Sequence, residues 1–377
     1  MNTLYKISIL FLLFGCGTTP ESPKNSKTLR FVENMTFESG FLSGNVQIEN
    51  FLNEEFVCFG DYKTHKKIIA HSLDSDKEYS INLKKIADLG ENILAYEIMN
   101  LDTVLVLSRY TNHLYCIDQH GHIWKSIDLS PYLDPYGEFE LMRSSTPFQF
   151  NDTTLIFSLG YLVTNLPEKD RENLTLYSKM RNKAPILFKV DNIFSDTLHT
   201  KLGLENLYTQ FSKADRINIE GHHFEFDQKS ISFYSAYSDS IYIIDPKTLR
   251  ISKRRKVTSK YSKLRINALS VQEFNENPDL LNKLFITNGQ IRGVVWDKGN
   301  QVYYCFTSHK SKGEKIPMSI IVLDDQLNKI SEHKLDENKY QFTGLITSKG
   351  LLVSNYNETL NDSDHFQKNT YALFHYE

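Results

Sequence analysis

One pattern, repeated along the chain, limits the folds open to it: an apolar strand, a polar turn, a second strand ending in Asp, another turn, and a third strand of alternating side chains. The clearest copy begins at Asp102-Thr103-Val104-Leu105-Val106-Leu107-Ser108-Arg109 and continues through His113-Leu114-Tyr115-Cys116-Ile117-Asp118. The turn Gln119-His120-Gly121 then leads into residues 122–129. Period-two alternation bounded by Asp, Asn and Gly marks antiparallel hairpins. Further copies of the second strand stand at residues 186–191, 240–245 and 319–324, with weaker ones at 67–72 and 371–376. The strands before them fall at residues 55–60, 103–109, 154–160, 230–237, 301–308 and 351–356, so both counts converge on six units.

The Asp anchors Asp118, Asp191, Asp245 and Asp324 are unevenly spaced, and the excess sits in residues 161–185 and 266–290, where the strand pattern breaks. The second break holds a short helical stretch, Pro278-Asp279-Leu280-Leu281-Asn282-Lys283-Leu284. Without these segments the period is about 50 residues, the length of a four-stranded propeller blade. The expected fold is therefore all-β, a six-bladed β-propeller. Seven blades, or a pair of β-sandwiches, are the competing architectures. Residues 29–37 read as a strand before the first full unit, and the last unit lacks a strand after it. An N-terminal strand completing the last blade would close the ring and leave no free edge.

Ahead of the propeller, Lys6 precedes the apolar run Ile7-Ser8-Ile9-Leu10-Phe11-Leu12-Leu13-Phe14-Gly15-Cys16. The run is far shorter than the about 20 residues a membrane span needs. It resembles a bacterial lipoprotein signal, with Leu13 three before the cysteine and small Gly15 beside the cut. The expected division is a signal peptide at 1–15, a lipidated Cys16 with a polar tether through 28, and one propeller domain at 29–377. Acyl chains on Cys16 would hold the protein to a membrane, each buried methylene adding roughly 0.8 kcal/mol.

Hydrophobic content of 40%, with 24% charged residues, is that of a globular chain. The net charge of −3 argues against nucleic acid, which calls for a basic surplus. Cys58, Cys116 and Cys305 each lie in an apolar strand run and read as buried thiols, although spacing alone leaves one disulfide open.

The sharpest local anomaly is a basic cluster between Lys247 and Arg265, centred on Arg250, Lys253, Arg254, Arg255 and Lys256. These residues are a candidate polyanion site by electrostatic focusing, or else a solvated edge strand whose charges discourage sheet-to-sheet pairing. His120-Gly121-His122 and His222-His223 are close pairs without the ligand spacing of a metal centre, so no metal and no cofactor is expected. The Gly-x-Ser-x-Gly elbow, His-Glu-x-x-His and phosphate-binding glycine loop are not in the sequence, and no catalytic residue is assigned. The 21 Tyr and 24 Phe, with Trp124 and Trp296 inside strand patterns, read mainly as packing between blades.

The lipoprotein signal, the Thr/Ser/Lys-rich linker, about six irregular blades and the segment Val257-Thr258-Ser259-Lys260-Tyr261 together resemble uncharacterised propeller lipoproteins of Bacteroidota. These include the domain-of-unknown-function 4221 family and its TolB-like six-bladed relatives. The resemblance implies the fold and an envelope address, and carries no catalytic residues. The expected role is a lipid-anchored binding or scaffolding module for an envelope protein or glycan partner. The alternative is a propeller hydrolase or lactonase acting on a carbohydrate. The residues after Cys16 lack an acidic run, which favours an outer-membrane anchor facing the periplasm.

Overall fold

The computed structural model describes residues 27–38, 45–61, 66–90, 93–108, 111–133, 139–141, 148–151, 153–161, 176, 182–195, 197–205, 207, 216–217, 222–226, 230–277, 279–311, 316–355 and 368–377. Strand β1 (Leu29–Glu38) precedes the first blade, which comprises β2 (Asn45–Phe51), β3 (Glu54–Asp61), β4 (Lys67–Ser72) and β5 (Glu78–Asn82). Blade 2 comprises β6 (Ile93–Asn100), β7 (Thr103–Ser108), β8 (His113–Ile117) and β9 (Ile123–Asp128). In blade 3 the innermost strand is split: β10 (Phe139–Leu141) and β11 (Phe148–Asn151) both pair with β12 (Thr154–Tyr161), followed by β13 (Leu187–Asp191) and β14 (His199–Gly203). A small ladder of β15 (Arg216–Ile217) and β20 (Leu269–Ser270) brackets blade 4, which comprises β16 (His222–Phe226), β17 (Ile231–Ser235), β18 (Ser240–Asp245) and β19 (Arg250–Lys256). Blade 5 comprises β21 (Gln290–Asp297), β22 (Val302–Ser308), β23 (Met318–Asp324) and β24 (Lys329–Leu335). Blade 6 is built from β25 (Tyr340–Thr347), β26 (Gly350–Asn355) and β27 (Lys368–Tyr376), with β1 as its outer strand.

The result is a six-bladed β-propeller, closed as the sequence predicts. Leu29 pairs with Tyr376 and Glu38 with Lys368, so the first strand completes the last blade. Every propeller-unit run found in the sequence is the second or third strand of a blade; the apolar run before Cys16 lies outside the described residues. These strands are buried on both faces, hence their near-continuous hydrophobicity.

Alternation then divides each run between two neighbouring seams. Phe56 and Cys58 pack toward blade 2, whereas Val57 and Phe59 pack toward blade 6. Val104 and Val106 face blade 1, and Leu105 and Leu107 face blade 3. Tyr304 and Phe306 face blade 6, and Tyr303 and Cys305 face blade 4. The remaining seam joins Ile156 and Leu187 of blade 3 to Phe224, Phe233 and Tyr242 of blade 4. The six seams together make a continuous ring of core, each fully buried side chain contributing roughly 1.5–3 kcal/mol.

The recurrent Asp is a turn former. Asp118 accepts backbone N–H bonds from His120 and His122 at 2.9 Å, and Asp324 does the same from Gln326 and Asn328. Asp245 accepts from the Lys247 N–H and the Thr248 hydroxyl. Each turn also holds a residue in the left-handed region: Gly121 (φ 80°), Leu249 (φ 54°) and Leu327 (φ 63°). Local side-chain acceptors of this kind favour turns over continued strand.

The connections sort by end. First-to-second and third-to-fourth strand links lie at one end of the sheets and are mostly short. The long ones, residues 162–186, 204–221, 257–289 and 356–367, all join strands at the opposite end. One carries the short helices Val271–Glu276 and Asp279–Thr287, the second of which includes Asp279–Leu284 of the helical stretch expected from sequence, Pro278 lying outside the described residues. No helix among the described residues is long and apolar enough to cross a membrane.

Candidate functional site

Among the described residues, the innermost strands bring polar side chains together at two places, on opposite sides of a six-membered ring. Between blades 1 and 2, Gln47 and Glu49 of β2 reach across to β6. The Gln47 amide donates to the Tyr96 carbonyl (2.9 Å) and to Glu49 Oε1, which also accepts from the Ile98 N–H (3.4 Å). Glu49 is 6% exposed. Burial, then the charge of Glu97, raise its pKa well above the usual carboxylate value. Burial pushes Glu97 up to about 8. Burial, and for Glu49 the neighbouring charge, thus favour the neutral form of both carboxyls over a pair of anions.

Between blades 4 and 5, the Tyr234 hydroxyl donates to the Arg292 carbonyl (3.0 Å) and to Glu225 Oε1 (3.3 Å), with the His223 ring stacked on Tyr234 at 5.2 Å. The Arg292 guanidinium donates to the Ser308 hydroxyl and the Phe285 carbonyl.

The segment Val257-Thr258-Ser259-Lys260-Tyr261 is pinned to blade 5. Glu332 accepts from the hydroxyls of Ser259 and Ser319, the Lys260 N–H (3.0 Å) and the Lys329 ammonium (2.6 Å). Burial pushes this carboxyl up, but the bonds from Lys260, Lys329 and Ser259 outweigh it and hold the pKa low. His309 sits between Ser262 (3.0 Å) and Ser319 (2.8 Å), its pKa drawn down by burial, and Tyr261 packs edge-on against its ring. A serine and histidine in contact is the pairing that activates nucleophiles. Here both ring nitrogens are engaged, and Gly289 lies so close to Ser262 Oγ that even a Cβ would collide with it. The network is a clamp between blades.

The basic candidates line β19, the outer strand of blade 4. Lys253 donates to the Asp325 carbonyl (2.8 Å) and Arg255 to Asn328, both in a turn of blade 5. Arg254 lies over the Tyr242 ring (5.1 Å), Lys256 pairs with Asp239 (2.9 Å), and Arg250 is exposed at the strand start. Part of the cluster thus fastens one blade to the next. Cys16 lies outside the described residues. Cys58, Cys116 and Cys305 are free and buried, with thiols pushed up by burial.

His120 and His122 are exposed turn residues, His122 paired with Asp118 (2.9 Å). Among the described residues no three His, Cys, Asp or Glu side chains converge as metal ligands. Adjacent acids diverge, as strand geometry requires. Glu54 bonds Ser72, Ser75 and Lys77 of its own blade, which lower its pKa to about 2, while Glu55 accepts from Ser348 of blade 6.

A known structure agrees with the ring. A domain-of-unknown-function 4221 family member from Bacteroides vulgatus superposes with a TM-score of 0.67 at 15% identity, covering 94% of this chain and 99% of that one. The fold expected from the family resemblance therefore extends along nearly the whole chain. The Swd1 β-propeller domain from Myceliophthora thermophila is more distant, with a TM-score of 0.40 at 12% identity over 86% of this chain and 83% of that one. No sequence-family model matches the chain, and no curated protein matches it.

Sequence reasoning missed Glu49, Glu97 and Arg292. All three stand on innermost strands, which carry mixed polar and apolar residues and give the weakest alternation signal of each blade.

Proposed function

We propose that the protein is a lipid-anchored β-propeller of the bacterial envelope that works as a binding or scaffolding module. In this reading Cys16 carries the lipid, the ring faces the periplasm from the outer membrane, and a protein partner or ligand is held by loops at one end. The observation that supports it most is the position of β1. The chain enters the ring at Leu29, beside Tyr376, at the short-turn end of the sheets. The four long connections lie at the other end. A tether on one side and long connections on the other is the layout of a module that presents a surface away from its membrane.

Two measurements test this. Incorporation of radiolabelled palmitate should occur in the native chain and vanish in Cys16→Ser, and labelling of the variant would remove the anchor. Photo-crosslinkers at Tyr261 or Ile286, on the long-loop side, should trap an envelope component that crosslinkers at Leu52 or Ile330 do not. Equal trapping at both ends would remove the loop-face reading.

The enzyme alternative, a hydrolase or lactonase acting on carbohydrate, is favoured by one observation: Glu97, raised to about 8, has the protonation a general acid needs. Turnover of a carbohydrate ester, lactone or glycoside that disappears in Glu97→Gln would decide for it.

A further inference from the structure

Among the described residues most aromatic rings are buried in the seams as expected, but Trp124 is 50% exposed. A register shift causes this. In blade 2 the pairing passes from Cys116 opposite Lys125 to Ile117 opposite Ile123, leaving Trp124 as an extra residue bulged out of β9. Blades 4 and 5 repeat the shift, with Ser252 and Ile330 at the bulged position. Bulges re-aim side chains, and of these three re-aimed residues only that of blade 2 is a tryptophan.

Its ring is held in place. The indole N–H donates to the Asp102 carbonyl (3.2 Å), and Phe194 of the next blade stacks beside it at 6.2 Å and 22°. Phe194 is 36% exposed, and its turn is fixed by Lys125, whose ammonium donates to the Ser195 carbonyl (3.2 Å). Two nearly parallel rings, oriented before any ligand arrives, bridge blades 2 and 3 on the outer rim. Orientation in advance reduces the ordering cost of binding.

We infer that Trp124 and Phe194 form a stacking platform for a neutral sugar ring of a glycan. The platform is too small for a protein: two half-exposed rings offer on the order of 200 Å², against about 800 Å² per partner in a stable protein interface. The contacts that fix it, to the Asp102 carbonyl and from the Lys125 ammonium to Ser195, are polar. A pyranose presents C–H bonds on one face, and these complement the negative face of an aromatic ring. Its hydroxyls suit a polar rim. A nucleobase would stack equally well, but the chain's net charge of −3 opposes its phosphates. This inference adds a ligand class to the binding reading and uses a different surface from the long-loop end.

The test uses the full-length protein in mild detergent and a panel of neutral tetrasaccharides: cello-, malto-, manno-, xylo- and chitotetraose. At least one should bind saturably in isothermal titration calorimetry. Trp124→Ala should weaken that binding at least tenfold and Phe194→Ala several-fold, whereas Trp296→Phe should leave it within twofold. Absence of saturable binding heat across the panel, or binding by Trp124→Ala within twofold of wild type, overturns the proposal. Loss of crosslinking at Tyr261 or Ile286 in Trp124→Ala would also overturn it, by showing that the ring serves the protein partner. A sugar-blind protein that still crosslinks through its loop face would overturn the platform and leave the general binding reading intact.

Discussion

Leu249, held at φ 54°, lays its side chain against Gly203 of the preceding blade so closely that a Cβ on that glycine would stand 2.6 Å from the Leu249 Cβ. The turn accepts an unfavourable backbone for a leucine because the side chain, 2% exposed, fills the seam between blades 3 and 4. Gly203→Ala should therefore cost about 2 kcal/mol by overpacking. In a Leu249→Gly background the added cost should fall by about 1 kcal/mol, because the contact has gone. Urea midpoints of the two singles and the double measure this, and strict additivity would refute it.

Leu52 poses the opposite case. It and Asn53 have φ of 52° and 62° in the two-residue link between β2 and β3, and Leu52 is 51% exposed. Little burial offsets its strained backbone. Leu52→Asn, a residue that tolerates this region, should stabilise by about 1 kcal/mol. A thermal midpoint at or below that of wild type would contradict the account.

The carboxyl pair between blades 1 and 2 makes a pH prediction. Glu49 and Glu97 have folded-state pKa values above the 4.5 of the open chain. The folded state thus keeps protons that the unfolded state releases. Stability from these groups is complete below about pH 4.5 and declines as pH rises to about 8. Glu97→Gln should flatten that decline by on the order of 2 kcal/mol between pH 5 and pH 8. Parallel stability profiles for variant and wild type over this range would show that Glu97 is not linked to folding.

Much of the architecture is legible in the order of the residues alone. The second and third strands of the blades stand where alternation places them, as do the Asp turns and the closing strand β1. Innermost strands escape such a reading because channel and seam impose no clean two-residue period on segments such as Asn45–Phe51. The pairing of Glu49 with Glu97 is equally hidden, since it depends on two strands meeting across a seam rather than on adjacency in sequence. The basic run between Arg250 and Lys256 is conspicuous, yet no composition rule shows that Lys253 and Arg255 are engaged with carbonyl and amide groups of blade 5.

The Glu332 clamp should be the most sensitive polar site. Glu332→Ala would remove the acceptor of the Ser259 hydroxyl and the Lys260 N–H, while Lys329 keeps the Thr258 carbonyl and Ser319 keeps Thr307 and His309, costing about 3 kcal/mol. Glu332→Gln, which keeps an acceptor, should cost about half as much. Protease nicking after Lys260 should accelerate in the alanine variant, and an unchanged nicking rate would argue that the segment is held by other means.

Because Leu29 is a paired neighbour of Tyr376, the ring has a seam but no privileged starting point. A chain joined by a short linker across Thr28 and Glu377, and opened instead at the Leu52–Asn53 link, would trace the same six blades in a rotated order. Where an anchor attaches is thus separable from how the blades stack, and the same disc could hang from a membrane by any of its short turns.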